Sequence, residues 1–190
     1  MHTRRETGFS LIEMMVVIFV IGLSLSLVSL TINRGGPRDD LVDAVEQFMG
    51  FAQFAGERAI LSGETMALML EPPMWQAERG QNIDDIGWRY RWYTQSSEGW
   101  QEVPNLKPVS LPPTIDLLVE IDETEWDYED QIDRSTPQIA YYPTGDITQF
   151  SIELRDERDR ELSHHIEINE NGELQWLEAP ELPEADKDDF

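Results

Sequence analysis

The 190-residue sequence contains no cysteine, which excludes disulfide bonds, thiolate nucleophiles and zinc sites with cysteine ligands. Basic residues are also scarce: 14 Lys and Arg, of which only Lys107 and Lys187 are lysines, stand against 38 Asp and Glu. A formal net charge of −24 repels phosphate backbones and anionic lipid headgroups, so we expect no nucleic-acid partner. Cations and basic protein surfaces are the partners that such a charge attracts.

The motifs of the common enzyme classes are missing as well. The sequence has no glycine-rich phosphate loop, no GxSxG and no zinc-type spacing. His2 lies near the N-terminus, whereas His164 and His165 are adjacent, so in a strand they point to opposite faces and cannot ligate one metal together. We therefore predict that the chain is not an enzyme, has no cofactor, and uses the later histidines structurally.

A long apolar run near the N-terminus is the main positive feature. From Met14 to Asn33 no residue is charged, and at 1.5 Å per residue this run spans roughly the 30 Å hydrocarbon core as one helix. Arg4 and Arg5 precede it, and because positive flanks stay in the cytoplasm, the rest of the chain is predicted to face outward. Glu13 stands at the start of the run, although a carboxylate in hydrocarbon costs at least ~2.5 kcal/mol.

Three interpretations of this segment treat Glu13 differently. A removed secretory signal peptide is disfavoured, because the run exceeds the usual length of roughly 7 to 15 residues and lacks an A-x-A-like site at its far end. A plain signal anchor leaves Glu13 as an incidental acid near the interface. The third interpretation depends on the string "TGFSLIE", which combines a glycine, an aromatic residue and an acid at fixed spacing.

The string "GFSLIE" resembles the class III signal of type IV pilins and type II secretion pseudopilins. In that family a prepilin peptidase in the membrane cuts after the glycine and N-methylates the new first residue. The resemblance implies a leader at 1–8, a cut between Gly8 and Phe9, methylation of Phe9, and a transmembrane or filament helix over 9–33. It also implies that Glu13 pairs with the terminal ammonium of a neighbouring subunit, since both charges would otherwise be buried unpaired.

Beyond the apolar run, "NRGGPRDD" interrupts the helix, because two glycines and a proline break a helix interior. A second, amphipathic helical half is predicted over 39–63, with Gly63 as its C-cap. Its apolar stripe consists of Leu41, Val45, Phe48, Ala52, Ala55 and Ala59. The stripe is predicted to cover a sheet of the same domain.

From residue 64 to 178 short runs rich in β-branched and aromatic residues alternate with turn signals, which predicts a β-rich head. The runs are "TMALMLE", "GWRYRWY", "TIDLLVEI", "PQIAYY", "ITQFSIELRD", "HHIEIN" and "GELQWL". A helix followed by many strands is an α+β pattern, with the helix packed on an antiparallel sheet or small sandwich. Residues 179–190 are acidic and poor in apolar side chains, which is typical of a disordered tail.

Two features of the head are candidates for binding. Residues 120–133 contain eight carboxylates and no base, with Asp122, Glu125 and Asp127 as candidate calcium ligands. The EF-hand order is absent, so a solvated acidic loop or a contact with a basic partner are the alternatives. The aromatic row Trp88, Tyr90 and Trp92 lies opposite Arg89 and Arg91 on one strand; at this net charge it predicts core packing and no nucleic-acid surface.

The order of segments in the head, above all "YYPTGDITQFSI", is similar to that of H-type minor pseudopilins and some minor type IV pilins. The resemblance implies a type IV pilin-like fold and a structural subunit of the type II secretion pseudopilus, which assists export of folded proteins across the outer membrane. The implied location is the inner membrane, with the leader cytoplasmic and the head periplasmic. The implied partners are the prepilin peptidase and other minor and major pseudopilins, with secreted cargo as a further candidate.

Two alternatives remain at this stage. A minor type IV pilin would serve pilus priming or DNA uptake, although DNA uptake calls for a basic patch that an acidic head does not offer. A membrane-anchored periplasmic binding or enzymatic domain, in which Glu13 is incidental, belongs to a different class.

Overall fold

The computed structural model describes Met15 and residues 36–80, 82–129, 131 and 133–179. The predicted leader at 1–8 and, apart from Met15, the predicted membrane helix at 9–33 lie outside these residues, as does the predicted tail beyond Ala179. Within the residues that are described, no helix combines the length and the apolar character needed to cross a bilayer.

Helix α1 spans Pro37–Ser62 and starts two residues before the predicted boundary. Proline suits a first helical position because its φ is already helical and no N–H is needed there. Asp39 and Asp40 follow in the first turn, where carboxylates complement the helix dipole. At the other end Gly63 has φ 71°, and its N–H donates to the carbonyl of Ala59 at 3.0 Å, which confirms the predicted C-cap.

Strands dominate the rest of the described chain, with a short helix and a 3-10 turn between the first two. The strands are β1 (Met66–Glu71), β2 (Arg89–Ser96), β3 (Gly99–Glu102), β4 (Val109–Ser110), β5 (Ile115–Ile121), β6 (Thr124–Glu125), β7 (Ile139–Tyr141), β8 (Phe150–Asp156), β9 (Asp159–Ile168) and β10 (Leu174–Trp176). Helix α2 is Pro73–Ala77, and the 3-10 turn is Ile83–Asp85.

The strands form two antiparallel sheets. The first sheet has the order β3-β2-β1-β7, with β4 also paired to β2, and the second has the order β10-β9-β8-β5-β6. Consecutive strands are mostly neighbours, as expected for hairpin connections. The predicted α+β class, a helix packed on antiparallel sheets, is confirmed.

Helix α1 supplies the layer that joins the two sheets, since it packs against β1 and β7 of the first sheet and against β8, β9 and β10 of the second. Its buried residues recur at spacings of one, three and four and include the entire predicted stripe; they are Leu41, Ala44, Val45, Phe48, Ala52, Ala55 and Ala59. Alanine at the last three positions lets the helix lie close to the strands. Phe48 meets Tyr90 of β2 edge to face at 5.5 Å, so the core runs continuously from helix to sheet.

Gly87 is enclosed by backbone just before β2. A Cβ at this position would lie 2.2 Å from the carbonyl oxygen of Leu111 and 2.7 Å from that of Pro112. The N–H of Leu111 donates to Trp88 O at 2.7 Å, so a shift that made room would break this bond. We expect Gly87→Ala to lower the free energy of unfolding by about 3 kcal/mol, measured by urea denaturation.

The matched control is Gly50→Ala in α1, where a Cβ would meet nothing within 4 Å. Alanine is the better helix former, so this variant should be more stable than the natural protein by up to about 1 kcal/mol. Equal stability of the Gly87 variant and the natural protein would contradict the steric account.

Candidate functional site

The processing and assembly residues predicted from the sequence, Gly8, Phe9 and Glu13, lie outside the described residues. Their roles therefore stay predictions from the motif. The candidate sites in the head can be examined directly.

The candidate calcium ligand Asp122 is part of a tight turn. Ile121 and Thr124 pair across the β5–β6 hairpin, and the two residues between them, Asp122 and Glu123, have φ of 51° and 62°. Positive φ at both central positions is the geometry of a type I′ hairpin turn, which Asp tolerates well. The N–H of Asp122 donates to Gln149 O at 2.9 Å, so the residue anchors this turn to the segment before β8.

The other two candidates have separate surroundings. Glu125 lies on β6 directly opposite Glu120, a like-charge pair that disfavours the hairpin unless water or a counter-charge screens it. Asp127 accepts a hydrogen bond from the N–H of Glu129 at 3.1 Å. No group of three or more His, Asp or Glu side chains suited to a metal ion occurs in the described part of the chain. The hairpin thus spreads the three candidates over turn, strand and loop, and the structure does not assemble the calcium site considered above.

The aromatic row of β2 is part of the core. Trp88, Tyr90 and Trp92 are each no more than 2% exposed. Trp92 packs on Tyr141 of β7 at 5.4 Å, and burial raises the pKa of Tyr90 above its ordinary value. The prediction of core packing is confirmed, and no stacking platform for bases is formed by these rings.

The arginines on the opposite face of β2 are engaged by a buried carboxylate. Glu71, 5% exposed at the end of β1, accepts a hydrogen bond from Arg89 Nε at 2.6 Å and lies 3.3 Å from Arg91 Nε. Arg79 approaches the same carboxylate at 3.7 Å. Sequence reasoning missed Glu71, because its partners become visible only from the β1–β2 register, in which Glu71 faces Arg89. Arg89 and Arg91 are thus paired with carboxylates of their own sheet, Glu71 and Glu102, which disfavours a phosphate-binding patch on this strand.

The adjacent histidines point to opposite faces of β9, as predicted. His164 is buried, and its Nδ1 accepts a hydrogen bond from Trp176 Nε1 at 3.1 Å. Burial holds the pKa of His164 below its ordinary value, which favours the neutral ring that this bond requires. His165 is exposed and donates from Nδ1 to Glu178 Oε1 at 2.6 Å. Both histidines hold the C-terminal strand in place, which agrees with a structural role.

A second buried carboxylate lies at the β8–β9 turn. Asp156 is 0% exposed and accepts hydrogen bonds from the backbone N–H of Arg158 at 2.8 Å and from its Nε at 3.0 Å. The same guanidinium group also donates to Asp40 of α1 at 2.9 Å. Arg158 therefore ties the start of α1 to the β8–β9 turn of the second sheet, a contact that spans 118 residues of sequence.

The comparisons with known proteins agree with this architecture. Residues 44–172, about two thirds of the chain, match the family described as "Type II transport protein GspH". The chain belongs to the GspH family. Residues 3–29 match a second family, described as "Prokaryotic N-terminal methylation motif". This second match contains the string "GFSLIE" and precedes the GspH match in the chain.

Two curated relatives align with this chain over most of its length. A protein of Aeromonas hydrophila named "Type II secretion system protein H" is 27% identical over 97% of this chain and 100% of its own. The Escherichia coli K12 protein of the same name is 24% identical over 78% of this chain and 80% of its own.

Solved structures of the minor pseudopilin EpsH from the type II secretion system of Vibrio cholerae share the fold. One superimposes with a TM-score of 0.58 at 21% identity, covering 78% of this chain and 100% of that chain. Another has a TM-score of 0.54 at 19% identity. The identification as an H-type minor pseudopilin of type II secretion is confirmed, and with it the pilin-like α+β fold.

Proposed function

We propose that this GspH-family chain acts as a non-enzymatic, structural subunit of the type II secretion pseudopilus and assists the export of folded proteins across the outer membrane. One observation carries the proposal: a methylation motif at 3–29 precedes a GspH match at 44–172 in a single chain. The relatives named after the type II secretion system support the same role.

In this proposal the chain is made as an inner-membrane precursor. The leader at 1–8 stays cytoplasmic, the apolar segment 9–33 crosses the membrane, and the head lies in the periplasm. The prepilin peptidase cuts between Gly8 and Phe9 and methylates Phe9. The match of the methylation motif, which includes both residues, supports this step.

Assembly then depends on charge. The cut gives Phe9 an α-ammonium group, and Glu13 follows four residues later, which is about one turn if the segment is the predicted helix. We propose that Glu13 pairs with the ammonium group of a neighbouring subunit as the helices leave the bilayer for the filament. The head meets other minor and major pseudopilins, with secreted cargo as a further candidate partner. The buried position of the head's aromatic row and the internal pairing of Arg89 and Arg91 disfavour a DNA-uptake role.

The N-terminal mass of the protein tests the proposal. From cells that contain the prepilin peptidase, we expect a mature chain that begins at N-methylated Phe9. From cells without the peptidase, we expect an uncut precursor that retains residues 1–8. A chain that remains uncut in the presence of the peptidase, or that is cut beyond residue 25, would falsify the pseudopilin processing route.

A further inference from the structure

A cleft opens where α2 and the 3-10 turn meet the start of β2 and the start of β5. It encloses about 440 Å³. We name it the proline-aromatic cleft after Pro73, Pro113, Trp88 and Tyr128, which form part of its wall. Trp88 and Tyr128 meet edge to face at 5.2 Å, so the rings fix one another in place. The rigid proline rings and the packed aromatic pair make this wall largely preformed.

Three carboxylates, those of Asp84, Asp116 and Glu157, also line the cleft, and no basic residue does. Asp116 is held in position by two donors to its Oδ1: Trp88 Nε1 at 2.8 Å and the N–H of Leu117 at 2.9 Å. Its second oxygen has no hydrogen-bond donor among the described residues.

The other two carboxylates are unneutralised. Asp84 and Glu157 form no ion pair within the part of the chain that the structure describes. Arg155 lies opposite Asp116 across β5 and β8, but its guanidinium group is engaged by Glu153 at 2.7 and 2.6 Å. Arg155 acts on Asp116 by charge alone, so Asp84 and Glu157 supply the negative charge that the cleft offers to an external cation. Burial first, and then the charge of Asp116, raises the pKa of the Tyr128 phenol, in line with a negative potential on this wall.

We propose that the proline-aromatic cleft binds an extended polypeptide segment of a partner protein that presents an arginine or lysine side chain between apolar residues. The apolar wall fits the aliphatic stem of such a side chain, and the carboxylates fit its charged head. The exposed part of the Tyr128 ring adds a cation–π surface. The net charge of −24 steers a basic segment toward this face from a distance. This inference is independent of the leader, of Glu13 and of filament assembly.

Isothermal titration of the full-length protein in detergent micelles tests the proposal. The probe is the acetylated and amidated peptide Leu-Pro-Arg-Pro-Leu, with Leu-Pro-Lys-Pro-Leu as a second cationic probe. The control replaces arginine by citrulline, which keeps the shape and removes the charge. We expect the cationic peptides to bind at least about tenfold more tightly than the citrulline peptide. Their affinity should fall by about tenfold between low salt and roughly 0.5 M NaCl.

Paired variants locate the binding. The double variant Asp84→Asn with Glu157→Gln should lower the affinity for the arginine peptide by about tenfold. Because both side chains are exposed, the fold should tolerate the change. The matched control is Glu57→Gln with Glu161→Gln, which removes the same charge at exposed positions outside the cleft and should leave binding within about twofold.

Three results would overturn the inference. They are binding of neither cationic peptide at millimolar concentration, equal binding of the citrulline peptide, and equal weakening by the control pair. None of these results depends on the N-terminal mass that tests the proposed function. Each proposal can therefore fail while the other holds.

Discussion

Glu13→Ala is expected to be cut and methylated like the natural protein and then to be nearly absent from the pseudopilus. The peptidase site at Gly8 and Phe9 is unchanged, so processing should continue. In the filament, however, the ammonium group of the neighbouring Phe9 would be buried without a partner. Removing one member of a buried ion pair costs about 3–5 kcal/mol, and since about 1.4 kcal/mol is tenfold, incorporation should fall by roughly two to nearly four orders of magnitude. The measurement is the ratio of subunit in sheared pseudopili to subunit in the membrane fraction.

The natural control for this experiment is Glu6→Ala. Glu6 carries the same charge two residues before Gly8, but in the proposed processing route it is removed with the leader, so its replacement should not alter incorporation. Glu13→Asp should recover part of the assembly, since the charge is kept and only the reach is shortened. Normal incorporation of Glu13→Ala would show that the pairing account is wrong, even if processing occurs as proposed.

The second large effect is expected for Arg158→Ala, which removes the guanidinium group from the fully buried Asp156. Asp156 then keeps the backbone hydrogen bond from residue 158 but loses its charged partner, and the link from Arg158 to Asp40 is lost as well. Because the guanidinium group is partly exposed, water offsets part of this loss. We expect the urea midpoint to fall accordingly. Arg160→Ala is the matched control: Arg160 is exposed close to the same turn, and its replacement should change stability by no more than about 0.5 kcal/mol.

A double-mutant cycle separates the pair from the rest of the turn. Adding Asp156→Ala to Arg158→Ala removes the stranded carboxylate, so the double variant should be more stable than Arg158→Ala alone. If the double variant is the less stable of the two, burial of an unpaired charge is not the cause of the loss.

The same pair predicts how stability depends on pH. Hydrogen bonds from Arg158 hold the pKa of Asp156 below its ordinary value in the folded protein. A depressed pKa contributes stability that is fully present above the ordinary Asp pKa and is lost as the pH falls through the lower, folded value. In Arg158→Ala this contribution is absent. The difference in free energy of unfolding between the natural protein and the variant should therefore become smaller as the pH is lowered.

Much of the fold was predictable because periodicity reports burial. The stripe from Leu41 to Ala59 predicted the buried face of α1, and Gly63 marked its end. Seven of the strands coincide with runs rich in β-branched and aromatic residues, since such runs fit a half-buried pleated surface. The rows of alternating residues in β2 and β9 also placed the aromatic core residues and the two histidines on the correct faces.

The sequence failed where local signals compete with tertiary contacts. Strand β3 was not among the predicted runs, because its four residues are mostly exposed and only pairing with β2 supplies the hydrogen bonds that make them a strand. Helix α2 was not predicted either, because the prolines of "EPP" are typical of a turn, whereas Pro73 also fits the first residue of a helix. The acidic excursion from 120 was expected to be a loop, yet it starts as the β5–β6 hairpin.

The buried carboxylates could not be recognised from the sequence at all. Glu71 ends an apolar run and Asp156 belongs to "LRDERDR", a string typical of a solvated turn. Each carboxylate meets its arginine partner only in the folded chain. The β1–β2 register brings Arg89 to Glu71, and the β8–β9 turn brings Arg158 to Asp156 near the start of α1. The proposed processing residues Gly8 and Phe9 are the opposite case, because the methylation motif that contains them is recognised from the sequence alone.

The way α1 is held has a mechanical consequence. The helix is 26 residues long, about 39 Å, and contacts strands of both sheets along its buried face. A pulling force applied at Pro37 along the helix axis therefore acts on that packed face in shear. The contacts along the face bear the force together and do not break one after another. The ion pair of Asp40 with Arg158 stands at the first turn, where the load enters. We therefore expect tension applied along α1 to be shared by its packed face and by the ion pair of Asp40 with Arg158.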